Sequence, residues 1–232
     1  MIQYAVFENE EDWLDFRAKY FTASEASKLL VEPKKKDEVL SVGAKTYIRK
    51  KAASILAPRE PSYFNSAMEH GKQTEPFAAM RFASELGKSI DDDDIIYTSH
   101  NGFVFFYDDD YDLGGTPDII LRKDKKSGEI KCPNPDTHLE HLMLKTAEDV
   151  KSNLPEYYGQ MQTNMYLTQT DECIFMSFDD RFYNEKLHAH FITVPRDEDY
   201  IERLLAKAKH AKDYKNRILE LFEEPKTVSV ND

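Results

Sequence analysis

The stretch from Thr116 to Cys132 constrains this chain more than any other. Ile119-Ile120-Leu121 and Glu129-Ile130-Lys131-Cys132 are short runs of strand type, and Lys125-Lys126-Ser127-Gly128 between them reads as a tight turn. The turn folds the second run back beside the first, which Pro117-Asp118 opens. Side chains alternate along a strand, so Glu129 and Lys131 share a face, and Asp118 can join them at one end of a sheet. Two carboxylates that close repel each other and raise a pKa unless a cation lies between them. Mg²⁺ is such a cation, held by one or two carboxylates together with water and substrate phosphate. A lysine beside it can orient or deprotonate an attacking water, or neutralise charge developing on a phosphate. The chemistry implied is metal-assisted phosphodiester hydrolysis.

Charged residues make up 32% of the chain, so short acid–lysine patterns recur, at Glu32, Asp124, Asp149, Asp213 and Glu224. One is a rival for the whole motif: Pro135-Asp136 followed by Asp149-Val150-Lys151. Its second half lies in a helical pattern, where residues two apart do not face together. The other reading of the Asp118 set is an exposed hairpin with a cross-strand salt bridge. Two further pieces sit near it in character. His70-Gly71-Lys72-Gln73-Thr74-Glu75 places a third acid on a helix, and Gly159-Gln160-Met161-Gln162 places amides in an otherwise apolar one. Gln160 and Gln162 do not share a helical face, so at most one of them points inward.

At 232 residues, 41% apolar and 12% aromatic, the chain is long enough for one self-sufficient core, and a single domain over 1–232 is expected. The first residues lack a signal-peptide pattern and no run is long enough for a membrane helix, so a cytoplasmic protein without a membrane partner is expected. Cys132 and Cys173 cannot supply a four-cysteine zinc or iron–sulfur centre. Net charge is −12, yet residues 28–59 hold nine Lys/Arg against three acids, which leaves that segment at +6 and the remainder at −18. A basic arm containing Lys34, Lys35 and Lys36 on an acidic body suits steering of a polyanion to one face. A solvated lysine-rich loop is the alternative.

A short helix or turn is expected from Trp13 to Tyr20, and helical patterns from about Ala44 to Leu56 and from Ser66 to Leu86, with Pro76 kinking or restarting the last. Thr22-Ala23-Ser24-Glu25 reads as a capping box. Asn101-Gly102 predicts a hairpin between Ile95–Tyr97 and Phe103–Tyr107. Beyond Pro135 a helix carries Leu139, Leu142, Met143, Ala147 and Val150, and another runs from about Glu156 to Thr168. Strands Cys173–Phe178 and Leu187–Val194 precede a last helix over about 197–223. The expected class is α/β (α+β), a central, mostly hairpin-connected sheet flanked by helices.

Taken together, Trp13 to Arg17 with Thr22-Ala23-Ser24-Glu25, Gly71 to Glu75, Thr116-Pro117-Asp118, Glu129-Ile130-Lys131-Cys132-Pro133 and Gln160-Met161-Gln162 resemble the phage lambda exonuclease family. These are the YqaJ-type viral recombinases of the PD-(D/E)xK nuclease superfamily, and the likeness runs from Trp13 to the last helix. The resemblance implies a restriction-endonuclease-like fold with a central mixed sheet. It implies a 5′→3′ exonuclease that degrades one strand of linear double-stranded DNA, leaving a 3′ overhang for recombination by strand annealing. It also implies two Mg²⁺ ions (or Mn²⁺ in their place), a ring-shaped homotrimer, an annealing partner and, for a phage gene, the bacterial host cytoplasm. Asp118, Glu129, Glu75 and the backbone carbonyl of Ile130 would hold the metal, with Lys131 activating water and Gln162 or Gln160 placing the phosphate or water. Arg17 and Ser24 would bind the 5′-phosphate, where a capped helix start favours an anion. Apart from the resemblance, Thr22 and the basic Lys34, Lys35 and Lys36 are candidates for contact with DNA, as is Trp13, whose ring either stacks on a base or packs in the core. A site-specific or structure-specific endonuclease on the same fold is one alternative, and an inactive DNA-end-binding protein is another.

Overall fold

The computed structural model describes residues 1–58, 66–99 and 102–222, the side chains of 66–68 and 72 excepted. In chain order the elements are β1 (Ile2–Phe7), α1 (Glu10–Arg17), β2 (Phe21–Thr22), α2 (Ala23–Ala26), α3 (Val42–Leu56) and α4 (Ser66–Glu85). Five strands and three helices continue the chain to α7: β3 (Ile95–Tyr97), β4 (Phe103–Asp108), β5 (Leu113–Gly115), β6 (Ile119–Leu121), β7 (Lys126–Lys131), then α5 (Pro135–Met143), α6 (Ala147–Asn153) and α7 (Pro155–Thr168). β8 (Glu172–Phe178), β9 (Ala189–Pro195) and α8 (Glu198–Glu220) complete it.

The α/β class holds, but the strands form two mixed sheets rather than one, ordered β1-β4-β5-β2 and β3-β6-β7-β8-β9. The hairpin expected at Asn101-Gly102 does not form. β3 pairs with β6, β4 pairs with β1, and Asn101 lies outside the described residues. A turn signal fixes only local direction, and two longer-range partners take the two strands. β1, β2 and β5 carry no clear strand pattern in the sequence and complete the first sheet. The 119–132 hairpin does form, with its turn at 122–125, three residues earlier than expected, because Leu121 pairs with Lys126 and Lys125 takes a φ of 50°.

Three helix readings also change. α1 starts at Glu10, where Asn9 caps it by accepting from the Asp12 amide. Thr22 precedes α2 without a side-chain cap bond, so the capping box is absent. Its reciprocal partner is occupied, since Glu25 accepts from Lys28 at 2.6 Å. The helix expected after Pro135 is two, because Thr146 and Asp149 form a true capping box that starts α6. α4, by contrast, runs unbroken through Pro76. Ala78, Ala79, Phe82 and Ala83, all fully buried, pin it to the second sheet and offset the backbone bond that proline removes.

The second sheet is covered on both faces. Phe82 of α4 joins Ile119, Leu121, Ile130 and Met176 on one side, while α7, α8 and Phe175 build the larger core on the other. Glycine permits two close approaches that set the site. A Cβ at Gly159 would lie 2.4 Å from the Tyr200 hydroxyl, so this glycine lets α7 and α8 meet. A Cβ at Gly115 would lie 2.3 Å from Oδ1 of Asn164 and 2.8 Å from Cβ of Ala23, so α7 and α2 both reach the end of β5. No described helix is long and apolar enough to cross a membrane.

Candidate active site

Pairing of Ile119 with Gly128 sets Asp118 across from Glu129, on the face that α7 covers. Asp118 Oδ2 accepts from the backbone N–H of Ile130 at 2.6 Å, which ties the carboxylate to the neighbouring strand. Glu129 is 1% exposed. Its Oε1 accepts from Lys131 Nζ at 2.5 Å, and its Oε2 from Asn164 Nδ2 at 3.4 Å. Burial, followed by the charges of Glu129 and Glu75 nearby, holds the Asp118 carboxyl well above the usual range. Burial works to lower the Lys131 ammonium, but Glu129 and Asp118 outweigh it and hold that pKa above its ordinary value.

α7 supplies the polar ceiling. Gln160 Oε1 accepts from Lys131 Nζ at 3.3 Å, and the Tyr157 ring lies 4.8 Å from the same ammonium. Gln162 points elsewhere: its Nε2 donates to the Pro195 carbonyl at 2.9 Å, and its Oε1 accepts from the Asp197 amide at 2.8 Å. Of the two glutamines, the helix brings Gln160 to the site and spends Gln162 on the join between β9 and α8. Sequence reading missed Asn164. Its signal was present, because residues four apart share a helix face and Asn164 follows Gln160 by one turn.

Glu75 reaches the same place from α4, where its Oε1 accepts from Tyr97 at 3.3 Å and Ser99 at 3.0 Å. Cys132 is close by, its thiol pushed up to about 12 by burial and then by Glu75 and Asp118. Among the described residues no group of three or more His, Cys, Asp or Glu is spaced to hold a metal ion. The donors nonetheless suit a hard divalent cation. Asp118 and Glu129 present carboxylate oxygens to each other, and for Asp118 burial and the neighbouring acids outweigh the Lys131 charge that favours its ionised form.

A cavity of about 510 Å³ is lined by Asp118, Glu75 and Gln160 together with Arg17, Ser24 and Trp13. Arg17 lies with its guanidinium 4.4 Å over the Trp13 ring. Burial pulls its pKa below the ordinary value, and Glu25 and Tyr47 only partly oppose this. Glu25 itself is paired with Lys28. A second half-buried cation, Lys51, is pushed down to about 8 by burial and then by Arg17, a contribution no sequence motif announced. Thr22 also lines the cavity, its N–H donating to Tyr47 Oη at 3.3 Å. Trp13 packs 5.6 Å from Phe103. Lys34, Lys35 and Lys36 sit exposed on the loop before α3, away from this lining, and Lys35 lies 3.8 Å from Glu38. The rival Asp149 and Lys151 are structural: Asp149 caps α6, and Lys151 pairs with Asp197 at 2.8 Å.

A carboxylate pair with a lysine two residues on, under a helix-borne amide, is an arrangement suited to metal-assisted phosphodiester hydrolysis. Residues 12–171 match the model of the YqaJ-like viral recombinase domain, and the chain belongs to that family. The fold agrees. An alkaline exonuclease from Laribacter hongkongensis, LHK-Exo, is 25% identical with a TM-score of 0.68, the match covering 91% of this chain and 95% of that one. LHK-Exo in complex with dAMP gives 24% identity and a TM-score of 0.67 over the same shares. A phage-related exonuclease from Haemophilus somnus 129PT shares the fold at 16% identity and a TM-score of 0.68, covering 88% of this chain and 96% of that one. No curated protein sequence matches the chain.

Proposed function

We propose that this nuclease is a Mg²⁺-dependent 5′→3′ exonuclease that degrades one strand of duplex DNA from its end and leaves a 3′ overhang for strand annealing. One observation carries the reading: a single cavity is lined both by the Asp118 and Glu75 carboxylates and by a desolvated arginine with a serine, Arg17 and Ser24. An end-directed enzyme needs both, a place for chemistry and a place that recognises the end. The relative LHK-Exo, an alkaline exonuclease, has been captured with dAMP, a single nucleotide of the kind such digestion releases.

In this reading Asp118, Glu129, Glu75 and the Ile130 carbonyl hold the cation, which supplies charge neutralisation at the scissile phosphate. Lys131, fixed between Glu129 and Gln160, orients the attacking water and offsets charge developing on the phosphate. Arg17 and Ser24 take the terminal phosphate, Arg17 by a forked pair of N–H groups. Trp13 gives the arginine a fixed platform. A ring-shaped homotrimer around the duplex belongs to the same proposal, because a chain of net charge −12 holds DNA better by enclosing it than by surface attraction. So does an annealing protein that receives the overhang. Covalently closed circular duplex should survive Mg²⁺ while the same plasmid, once linearised, is consumed. Nicking or cutting of the closed circle would instead identify an endonuclease.

A further inference from the structure

Two amides of α7, one helical turn apart, face two side chains of β7 that are two residues apart. Gln160 meets Lys131, and Asn164 meets Glu129. The spacings match, since a turn of helix rises about 5.4 Å and two strand residues span about 6.6 Å. We propose that Asn164 is a positioning residue for the metal-binding carboxylate: its Nδ2 holds Oε2 of Glu129 while Lys131 holds Oε1, so that the orientation of Glu129 is set from both sides. The inference rests on the reading of Glu129 as a metal ligand.

Three features of the structure support a role beyond packing. Asn164 is 1% exposed and Glu129 is equally buried, so no water competes for their contact. The contact fixes which way the amide points, with Nδ2 donating toward the Glu129 carboxylate. That orientation leaves Oδ1 of Asn164 buried with no hydrogen-bond partner among the described residues, so the contact with Glu129 is the hydrogen bond this side chain makes. Space for that oxygen exists because residue 115 is glycine, with the oxygen 2.3 Å from where a Cβ would stand. A leucine of similar size would remove the unpartnered acceptor and the donor together.

Asn164→Leu therefore separates the two roles. Mn²⁺ binding to the full-length protein without DNA is read by calorimetry, and the melting temperature without metal is read alongside. Groups that orient a metal ligand change affinity by roughly 10- to 100-fold. The expected result is Mn²⁺ affinity weakened by about that range, with the metal-free melting temperature kept or raised. Asn164→Ala, which cannot crowd Gly115 or Ala23, gives the same reading if leucine is not accommodated. Glu129→Gln is the control. If Glu129→Gln loses Mn²⁺ while both Asn164 variants bind as tightly as the parent, the positioning role is overturned and the metal site stands. If Glu129→Gln also binds normally, both readings fall.

Discussion

Arg17 offers the sharpest perturbation. Its guanidinium lies over Trp13 at 4.4 Å, borders the cavity beside Ser24, and is desolvated enough to lower its pKa. A cation held this way meets an anion without having to shed much water first. A hydrogen bond to a charged group contributes about 1.5–3 kcal/mol, which is roughly 10- to 150-fold in rate or affinity. Arg17→Ala should slow digestion of 5′-phosphorylated duplex by about that range and change 5′-hydroxyl duplex little. Arg17→Lys should recover only part of the loss, because a point charge replaces a planar fork and leaves the ring less well covered. The assay compares initial rates on two duplexes that differ only in the 5′ group, at saturating Mg²⁺. Equal rates on the two ends in the unmutated protein would refute the phosphate pocket, as would an Arg17→Ala loss of the same size on both.

Asp118→Ala, Glu129→Ala and Lys131→Ala should each abolish digestion with circular dichroism unchanged, whereas Asp149→Ala and Lys151→Ala should stay active; the reverse pattern would misplace the centre. Gln160→Leu should lower kcat with the melting temperature nearly constant. Gln162→Leu should leave kcat nearly constant and lower the melting temperature modestly, since two part-buried backbone groups, the Pro195 carbonyl and the Asp197 N–H, lose their partners. Stability should also fall in acid. Burial, then the charges of His138, His190 and Lys131, hold His141 down to about 4. The unfolded chain binds that proton from about pH 6.5, so stability present above 6.5 is lost as pH falls toward 4, by up to about 3 kcal/mol. Melting temperatures from pH 7.5 to 4.5 should show this slope, and His141→Leu should flatten it.

Much of the centre was legible because it is local. Asp118, Glu129 and Lys131 lie on one hairpin, and strand alternation alone puts the last two on one face. What covers the hairpin was not legible. Gln160 and Gln162 attract notice as a pair, yet the helix turns 200° between them and brings Asn164 round instead. The Thr22 capping box failed for one local and one tertiary reason, since Lys28, three residues on, takes Glu25 and Tyr47 of α3 takes the Thr22 N–H. The Asn101-Gly102 hairpin failed in the same way. Its two strands found better partners far along the chain, one of them β1, whose mixed exposure at a sheet edge gives no clean alternation. Arg17 and Ser24 were recognisable by family pattern, but their shared cavity with Asp118 depends on the close approach that Gly115 allows.

The central claim is directional hydrolysis from a DNA end, and one measurement reaches it. Linear duplex carrying its label at either the 5′ or the 3′ terminus of one strand is followed with and without Mg²⁺. The account predicts immediate release of the 5′ label as mononucleotide, late release of the 3′ label, and neither without the cation. Early release of the 3′ label, or release of either without a divalent metal, would contradict it.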